Sequence, residues 1–460
     1  MEEADLRGRR FTVLGAARSG VAVARLLRSR GASVFVSDTA PAERKGNEAA
    51  ELRRVGADFE FGGHSPRVLE ADTVVVSPGV PSDAQPVRQA MERQISVVSE
   101  LEVASWFCPG PIVAITGTNG KTTTTVLTGR MLTDARVPCV VAGNIGTAFS
   151  QVVEELPAGG TAVLEVSSFQ LDHIATFRPK VAGLLNITPD HLDRYEQSFE
   201  KYIAAKQRIF ENQKIGDVLI YNEDDTVTRQ AVQKRMPAGV RLLPFSTRDV
   251  LGRGAYVAEG MLRASLGEEE QEIIATAAIS IPGEHNLANA MAATLAALAL
   301  GVPVASLRAT LKNFKGVEHR LEFVRELDGI SYVNDSKATN VDAVWYALRS
   351  FRQPLIVLVG GRDKGNDYGR LLEPVREHVR GIVAIGESAD KVMSAFRSVV
   401  RTVPAASMQE AVETARRMAA PGDVVLLSPA CASFDWFNDY EHRGRVFKEI
   451  VMQLHPVRVV

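Results

Sequence analysis

Short apolar runs alternate with longer amphipathic segments along almost the whole chain. The runs RFTVLG, SVFVSD, IVAIT, TAVLEVSS and PLIVLVGG have the β-branched, apolar character of buried strands. Between such runs lie segments such as VAVARLLRSRG, whose apolar residues recur at helical spacing. Strands that alternate with helices form βαβ units and pair in parallel. The pattern therefore predicts an α/β fold with mainly parallel sheets.

The alternating pattern restarts twice and so divides the chain into three blocks. The first block begins at RFTVLG, the second opens near Pro109 with PIVAITGTNGKTTTT, and the third follows GVEHR. The length of 460 residues agrees with this division, since one hydrophobic core rarely serves more than about 250 to 300 residues. We expect domains at residues 1–108, 109–316 and 317–460.

Charge and cysteine content narrow the class of protein. The 53 Lys and Arg residues against 55 Asp and Glu give a formal net charge of -2, so no general attraction to nucleic acid or to an anionic membrane is expected. Cys108, Cys139 and Cys431 lack the spacing of a disulfide framework or a zinc site, and we expect three buried thiols. The longest apolar stretch, 287–300, is too short to span a bilayer, and the N-terminus lacks a secretory signal. A cytoplasmic protein without nucleic-acid or membrane partners is expected.

The segment GTNGKTT has the composition of a phosphate-binding loop. It follows the apolar strand IVAIT and precedes a helical run, so its glycines let backbone N–H groups converge on phosphate oxygens at a helix N-terminus. Lys121 can reach the outer phosphates, and the Thr122 hydroxyl can ligate Mg²⁺. Ile115 stands where the longer GxxxxGK[ST] pattern has its first glycine. A nucleoside triphosphate site is predicted, and a glycine-rich turn without a ligand is the alternative.

Acidic residues and a histidine accompany two of the predicted strands. Glu165 interrupts the apolar run TAVLEVSS, where a buried carboxylate needs a partner such as Mg²⁺. The alternative is a glutamate that faces water from an edge strand. Asp190, His191 and Asp193 follow another strand at its carboxyl end, which is the usual ligand side of an α/β sheet. A lone histidine there is more often structural, but a neighbouring Mg²⁺ site favours ligation or substrate contact.

Lys206 lies in the helical run SFEKYIAAKQRIF at a position that should face the core. Phe199, Ile203, Lys206 and Phe210 fall at i, i+4, i+7 and i+11 of a single helical face. A buried lysine has a lowered pKa, and its neutral amine can react with carbon dioxide to give a carbamate that ligates metal. The alternative is a lysine that extends its ammonium to the surface from a half-buried face, and without further information this alternative is preferred.

Taken together, these motifs resemble the Mur ligase family of peptidoglycan synthesis. The matching segments are GTNGKTT, GNIG, LEVSSFQL, NITPDHLDRY, YIAAKQRIF, GEHNLANAMAA, VEHR, NDSKATN and SPACASFDWF, and they occur in all three blocks. The resemblance implies a Rossmann-like N-terminal domain that binds a UDP-substrate, a central ATPase-like domain with a phosphate loop, and a Rossmann-like C-terminal domain that binds an amino acid. NDSKATN and SPACASFDWF point to the member of the family that adds D-glutamate.

The resemblance also implies an activity. ATP would phosphorylate the carboxylate of UDP-N-acetylmuramoyl-L-alanine, and the amine of D-glutamate would displace phosphate from the resulting acyl phosphate. The implied cofactors are ATP, two Mg²⁺ ions and a carbamate on Lys206. The resemblance thus reverses the preference for a surface ammonium at Lys206. We also expect a monomer.

Roles for individual residues are implied by the matching motifs. The implied catalytic residues are Lys121, Glu165, His191, Lys206 and Arg320, and the implied metal ligands are Thr122, Glu165, His191 and the Lys206 carbamate. The implied ATP-binding residues are Gly117, Thr118, Asn119, Gly120, Lys121, Thr122, Thr123, Asn289, Arg320, Asp335 and Lys337. The implied contacts to the UDP-substrate are Arg18, Ser19, Asp38, Thr39, Ser77, Gly79 and Asn144, and those to D-glutamate are Thr339, Lys364, Ser428 and Phe434.

Other functions stay open on the sequence alone. Residues Gly15 to Gly20 followed by Asp38 resemble a dinucleotide fingerprint, although Ala17 replaces its second glycine, so a nicotinamide-dependent oxidoreductase is one alternative. A nucleotide switch that uses the phosphate loop for signalling is a second. Another amide ligase of the same family, specific for a different amino acid, is a third.

Overall fold

The computed structural model describes the chain except for residues 1–5, 236–237, 268, 364 and 457–460 and the side chain at position 342. The described strands form three sheets, and the chain packs as two compact units: residues 1–279 with 287–313, and residues 280–286 with 314–460. In the described part of the chain, no helix has both the length and the apolar character needed to cross a membrane.

The first sheet carries parallel strands that are covered by helices. Its strands are β1 (Arg10–Leu14), β2 (Ser33–Asp38), β3 (Asp58–Phe61), β4 (Thr73–Val76) and β5 (Ser96–Ser99), in the order β3-β2-β1-β4-β5. The helices are α1 (Arg18–Ser29), α2 (Gly46–Arg54), α3 (Gln85–Glu92) and α4 (Glu100–Ser105). Val23 and Leu27 of α1 pack with Val13 and Val36, because the apolar stripe of the helix faces the sheet.

The second sheet contains the strands that position the candidate site. Its strands are β6 (Ile112–Thr116), β7 (Cys139–Gly143), β8 (Thr161–Glu165), β9 (Val181–Leu184), β10 (Val218–Asn222), β11 (Arg241–Ser246), β12 (Gly254–Ala258), β13 (Met261–Ser265) and β14 (Glu270–Ala275). Their order is β14-β13-β12-β11-β10-β9-β6-β8-β7, parallel from β7 to β12 and antiparallel beyond. The helices are α5 (Lys121–Asp134), α6 (Phe149–Val152), α7 (Ser168–Leu171), α8 (Phe199–Gln207), α9 (Thr226–Arg235), α10 (Glu284–Ala299) and α11 (Val304–Asn313).

The third sheet has helices on both faces. Its strands are β15 (Glu322–Leu327), β16 (Ile330–Asn334), β17 (Leu355–Gly360), β18 (Val379–Ile385), β19 (Arg401–Pro404) and β20 (Val424–Leu427), in the order β15-β16-β20-β17-β18-β19. Strand β15 pairs antiparallel to β16, and the other pairs are parallel. The helices are α12 (Val341–Leu348), α13 (Leu372–His378), α14 (Ala389–Phe396), α15 (Met408–Met418) and α16 (Tyr440–Gln453).

The mainly parallel α/β fold predicted from the sequence is confirmed, and three details differ from expectation. The antiparallel strands β12 to β14 were not expected; the turn between β12 and β13 is made by Glu259 and Gly260, both at positive φ (53° and 73°), which suits a tight hairpin. Helix α8 ends at Gln207, so Phe210 lies on the following 3₁₀ turn and not on the predicted helical face. Cys139 is half-buried, whereas Cys108 and Cys431 are buried as predicted.

Candidate active site

The phosphate loop lies between β6 and α5, as the sequence predicted. Strand β6 ends at Thr116, and α5 begins at Lys121. Gly117 and Gly120 have φ of +154° and +84°, backbone angles that residues with a side chain rarely adopt. A Cβ atom on Gly120 would lie 2.2 Å from Oδ1 of Asn289, a residue of α10. A side chain at position 120 would therefore need both a strained backbone and a shift of the Asn289 side chain.

Asn186 holds the phosphate loop in place, although sequence reasoning did not single it out. Its side chain accepts from the backbone N–H of Asn119 at 2.8 Å and donates to the carbonyl of Asn119 at 3.0 Å. Its own carbonyl accepts from the N–H of Thr118 at 2.9 Å. The signal that could have found it is its position in NITPDH, directly after the strand that pairs with β6.

Glu165 and Thr122 form the pair expected of a phosphate loop with an acidic partner on the next strand. Glu165 is 2% exposed at the end of β8, which lies between β6 and β7, so the interpretation as a water-facing edge glutamate is wrong. Its Oε2 accepts from the Thr122 hydroxyl at 2.6 Å, and its Oε1 accepts from the Asn144 amide at 3.2 Å. A hydroxyl and a carboxylate in contact are oxygen donors of the kind that Mg²⁺ prefers.

Lys206 points into the phosphate loop. Its side chain is 1% exposed, so the predicted burial is confirmed and the surface-seeking alternative is wrong. Its Nζ donates to the carbonyl of Gly117 at 2.9 Å and lies 4.6 Å from the ring centroid of Tyr202. The Lys121 Nζ donates to the same carbonyl at 2.8 Å, so two cationic groups share one acceptor.

The electrostatic surroundings of Lys206 weaken its positive charge. Burial lowers the pKa of Lys206 well below its ordinary value, and the charge of Lys121 lowers it further. The carboxylates of Asp190, Asp172 and Glu165 act in the opposite direction and do not outweigh burial. A buried amine in this setting has access to its neutral, nucleophilic form.

His191 lies on a more open segment after β9. Its backbone has φ of 51°, its side chain is 45% exposed, and its ring meets Phe169 edge-on at 6.1 Å between centroids. The imidazole Nε2 lies 3.7 Å from the carboxylate of Asp190. The exposed imidazole has the accessibility that a ligand or substrate contact requires.

Arg194 connects this segment to the predicted UDP-substrate loop, and sequence reasoning missed it. Its guanidinium donates to the carbonyls of Pro78 and Gly79, each at 3.1 Å, and lies 4.7 Å from the ring centroid of Phe169. Phe169 is therefore in contact with both Arg194 and His191. The structure brings the loop at 77–79 to the segment at 190–195 within the first compact unit.

The loop after β1 is braced by two of the predicted substrate residues. The Asp38 carboxylate accepts from the N–H groups of Ala16 and Ala40 at 2.6 and 2.7 Å, and the Ser77 hydroxyl donates to the carbonyl of Gly15 at 3.0 Å. Burial would raise the pKa of Asp38, but these N–H groups and Lys45 together lower it. The α1 helix begins at Arg18, three residues before the predicted helical segment VAVARLLRSRG, so Arg18 and Ser19 lie in its first turn; Thr39 is exposed.

The predicted residues of the third sheet meet at the carboxyl ends of β16 and β20. Asp335 accepts from the Ser428 hydroxyl at 2.8 Å, and burial raises its pKa to about 7 although the charge of Arg320 opposes this. Lys337 lies 5.3 Å from the ring centroid of Tyr440. The backbone N–H of Thr339 donates to the carbonyl of Lys337 at 2.9 Å. Two further residues were predicted to contact D-glutamate. Phe434 is 61% exposed, and Lys364 lies outside the described residues.

The structure thus gathers several of the predicted residues into three clusters. Two lie in the first unit: one around the loop after β1, and one that joins the phosphate loop to Glu165, Asn144 and Lys206. The third lies in the second unit, around Asp335 and Ser428. Strand ends at the carboxyl edge of a parallel sheet form each of them, which is the edge where α/β proteins bind ligands.

All three sheets match domain models of the same protein family. Residues 9–99 match the Mur ligase MurD-like N-terminal domain, residues 115–297 match the Mur ligase middle domain, and residues 319–431 match the Mur ligase glutamate ligase domain. These matches follow one another along the chain in the order of the three sheets.

Two relatives match over almost their entire length. A protein of Salinibacter ruber named UDP-N-acetylmuramoylalanine--D-glutamate ligase is 48% identical over 98% of this chain and 99% of its own. A protein of the same name from Chloroherpeton thalassium is 45% identical over 99% of this chain and 100% of its own.

Solved structures agree on the fold. The UDP-N-acetylmuramate-alanine ligase MurC of Thermotoga maritima covers 96% of this chain with 99% of its own, at a TM-score of 0.59 and 20% identity. The MurF ligase of the same organism, solved with ADP, covers 98% of this chain with 99% of its own, at a TM-score of 0.60 and 17% identity. The domain matches and the full-length relatives together show that the chain belongs to the Mur ligase family.

Proposed function

We propose that this chain is an ATP-dependent ligase that joins D-glutamate to UDP-N-acetylmuramoyl-L-alanine through an acyl phosphate. The observation that carries the proposal is the phosphate-loop cluster, in which Thr122 contacts Glu165 and the buried Lys206 contacts Gly117. The relatives that match over the full chain bear the name of that activity. The nicotinamide-dependent alternative offers no use for the phosphate loop.

ATP and Mg²⁺ are the cofactors that the cluster fits. Lys121 is the residue for the outer phosphates, and the hydroxyl–carboxylate pair of Thr122 and Glu165 supplies oxygen ligands for one Mg²⁺. Mg²⁺, when bound, stabilises the negative charge that develops on a transferring phosphoryl group. Arg320 is assigned to the same phosphoryl group on the basis of its motif.

A carbamate on Lys206 is the ligand we propose, with His191, for a second Mg²⁺. The neutral amine adds to carbon dioxide, the new N–C bond forms, and one proton leaves to solvent, so the side chain becomes an anion. A carbamate keeps one N–H, and the hydrogen bond from Lys206 to Gly117 is therefore compatible with it. Burial favours this chemistry because it lowers the pKa of the Lys206 amine.

Substrate binding is divided among the three expected domains, 1–108, 109–316 and 317–460. For the UDP-substrate we propose contacts from Arg18, Ser19, Asp38, Thr39, Ser77, Gly79 and Asn144. For ATP we add Asn289, Asp335 and Lys337 to the phosphate loop, and for D-glutamate we propose Thr339, Lys364, Ser428 and Phe434. We further propose a cytoplasmic monomer whose partners are these small molecules, without nucleic acid or membrane.

The proposal is tested by following phosphate release from ATP in the presence of UDP-N-acetylmuramoyl-L-alanine. D-glutamate, L-glutamate, L-lysine, meso-diaminopimelate and L-alanine are supplied in turn. We expect stimulation by D-glutamate and none by the others, because the carboxylate-binding residues must match one stereochemistry.

The competing functions give different outcomes in the same assay. Stimulation by another amino acid would assign the chain a different ligase activity. Hydrolysis of ATP that ignores both acid and amine would favour a nucleotide switch. Binding of a nicotinamide cofactor without phosphate release would favour an oxidoreductase.

A further inference from the structure

A buried arginine on α16 lies behind two of the loops assigned to ligand binding. Arg443 is 1% exposed and belongs to the first turn of α16. None of the roles given above uses it. A guanidinium that is removed from water needs hydrogen-bond acceptors for its donors, since burying the charge unpaired is strongly unfavourable.

The acceptors of Arg443 are supplied by the two loops. Its Nε donates to the Ser336 hydroxyl at 2.9 Å and its Nη2 to the Ser336 carbonyl at 2.8 Å. Its Nη1 donates to the carbonyls of Cys431 and Ala432, at 3.1 and 3.3 Å. The planar guanidinium fork thus joins the loop at 334–340 to the loop at 428–434, a geometry that the single ammonium of lysine cannot reproduce.

The neighbouring residues explain why this connection matters for ligands. Ser336 lies between Asp335 and Lys337, which are assigned to ATP, and Cys431 and Ala432 lie between Ser428 and Phe434, which are assigned to D-glutamate. Burial lowers the pKa of Arg443 to about 10, so the group remains protonated near neutral pH. The arginine therefore keeps its donors while it is enclosed.

We propose that Arg443 is a positioning residue, whose guanidinium fixes the loops at 334–340 and 428–434 relative to each other and thereby orders the D-glutamate site. This inference rests on the proposed function. The residue touches the loops, through three backbone carbonyls and the Ser336 hydroxyl, and not the reacting atoms. Misplacing a binding group by a fraction of an ångström weakens binding of the amino acid without removing any group that contacts it.

The test compares Arg443→Lys and Arg443→Ala with the wild-type protein in the phosphate-release assay. We expect the KM for D-glutamate to rise at least about tenfold in both variants. The KM for UDP-N-acetylmuramoyl-L-alanine, whose proposed contacts all lie in the first compact unit, should stay within about twofold. Ser336→Ala, which keeps the charge and removes one acceptor, is expected to shift the D-glutamate KM in the same direction by a smaller factor. Guanidinium added at a non-denaturing concentration should lower the raised KM of Arg443→Ala, and methylammonium should not.

Val451→Ala is the matched control, because Val451 is fully buried on the same helix and packs into the core. It should lower the melting temperature and leave the KM values unchanged, since partial unfolding reduces the amount of active enzyme and not its affinity. An unchanged D-glutamate KM in the Arg443 and Ser336 variants, or an equal rise in Val451→Ala, would overturn the positioning role. Wild-type protein that D-glutamate does not stimulate would instead overturn the proposed function, so the two failures are distinct.

Discussion

The Glu102 carboxylate and the Lys206 ammonium are both buried in the first compact unit, but they have very different surroundings. Glu102, on α4, accepts from the N–H groups of Ala175, Thr176 and Phe177 at 2.8 to 2.9 Å, and also from the Thr176 hydroxyl and the Trp106 indole. Burial would raise the pKa of Glu102, but these hydrogen bonds together lower it. The charge is fully compensated.

The Lys206 environment favours loss of the charge. The Nζ of Lys206 donates a hydrogen bond to the Gly117 carbonyl, and the Nζ of Lys121 donates to the same carbonyl. A lysine placed only for stability would be paired with a carboxylate in direct contact, because leaving a buried charge unpaired costs about 3–5 kcal/mol. The difference teaches that a buried charge with a full set of hydrogen-bond partners indicates a structural role. A buried ionisable group without such partners indicates a role in binding or catalysis.

The largest effect that tests this contrast is expected at Lys206. Lys206→Ala should lower turnover by at least about a thousandfold, because the proposed carbamate and its metal would be lost. A small added carboxylate such as acetate should restore part of the activity by replacing the carbamate. Steady-state rates with and without acetate measure both effects.

Lys201→Ala provides the control, since Lys201 is an exposed lysine on the same helix that pairs with Glu196. Its turnover should stay near that of the wild type. Lys206→Met should also unfold at the same or a higher temperature than the wild type, because an apolar side chain replaces a buried amine whose protonation is unfavourable. Full turnover in untreated Lys206→Ala would exclude the residue from the mechanism.

Lys206 also shows how far sequence reasoning reaches. Its inward orientation follows from local helical spacing, but its acceptor, Gly117, is 89 positions away and could not be read from that spacing. Arg194 was missed for the same reason, since its acceptors lie more than a hundred positions away in the loop after β4. Local patterns predict which side of an element faces inward, and the fold decides what it meets there.

The strands follow a similar division. Central parallel strands such as β6, which is buried at every position, appear in the sequence as continuous apolar runs and were predicted. The edge strand β14 carries exposed polar residues over its first half. It was not predicted, because that pattern is also typical of a loop. Glu102 itself lies in the segment ELEVAS, where nothing local indicates that five donors will converge on it.

A smaller effect, on stability and not on turnover, is expected at Glu102. Glu102→Gln replaces an oxygen acceptor by an NH₂ donor among N–H groups, and should lower the free energy of unfolding by about 2 to 4 kcal/mol. Denaturant unfolding measures this loss, with Glu92→Gln, an exposed glutamate at the end of α3, as the control. Catalytic constants of the folded variant should stay near wild type; a large loss of turnover at unchanged stability would break the contrast with Lys206.

The smallest effect is expected at Glu100, two residues before Glu102 on the same helix. Glu100 is buried and accepts from the N–H of Ser150 at 2.7 Å, which offsets only part of the burial that raises its pKa. Because its folded-state pKa lies above the unfolded value, Glu100 contributes stability that is fully present at low pH and is lost as pH rises through the folded-state pKa.

The contribution of Glu102 to stability depends on pH in the opposite direction. Because the pKa of Glu102 is lowered in the folded state, its contribution is lost only as pH falls below the pKa of the unfolded state. Glu100→Gln, which cannot ionise, should therefore reduce the decline in melting temperature as pH rises from about 5, near the ordinary pKa of glutamate, toward neutral and alkaline values. Glu102→Gln should leave the slope in that range unchanged. Thermal unfolding across the range measures the change of melting temperature with pH for each variant. Equal slopes in the wild type and Glu100→Gln would contradict the predicted difference between Glu100 and Glu102.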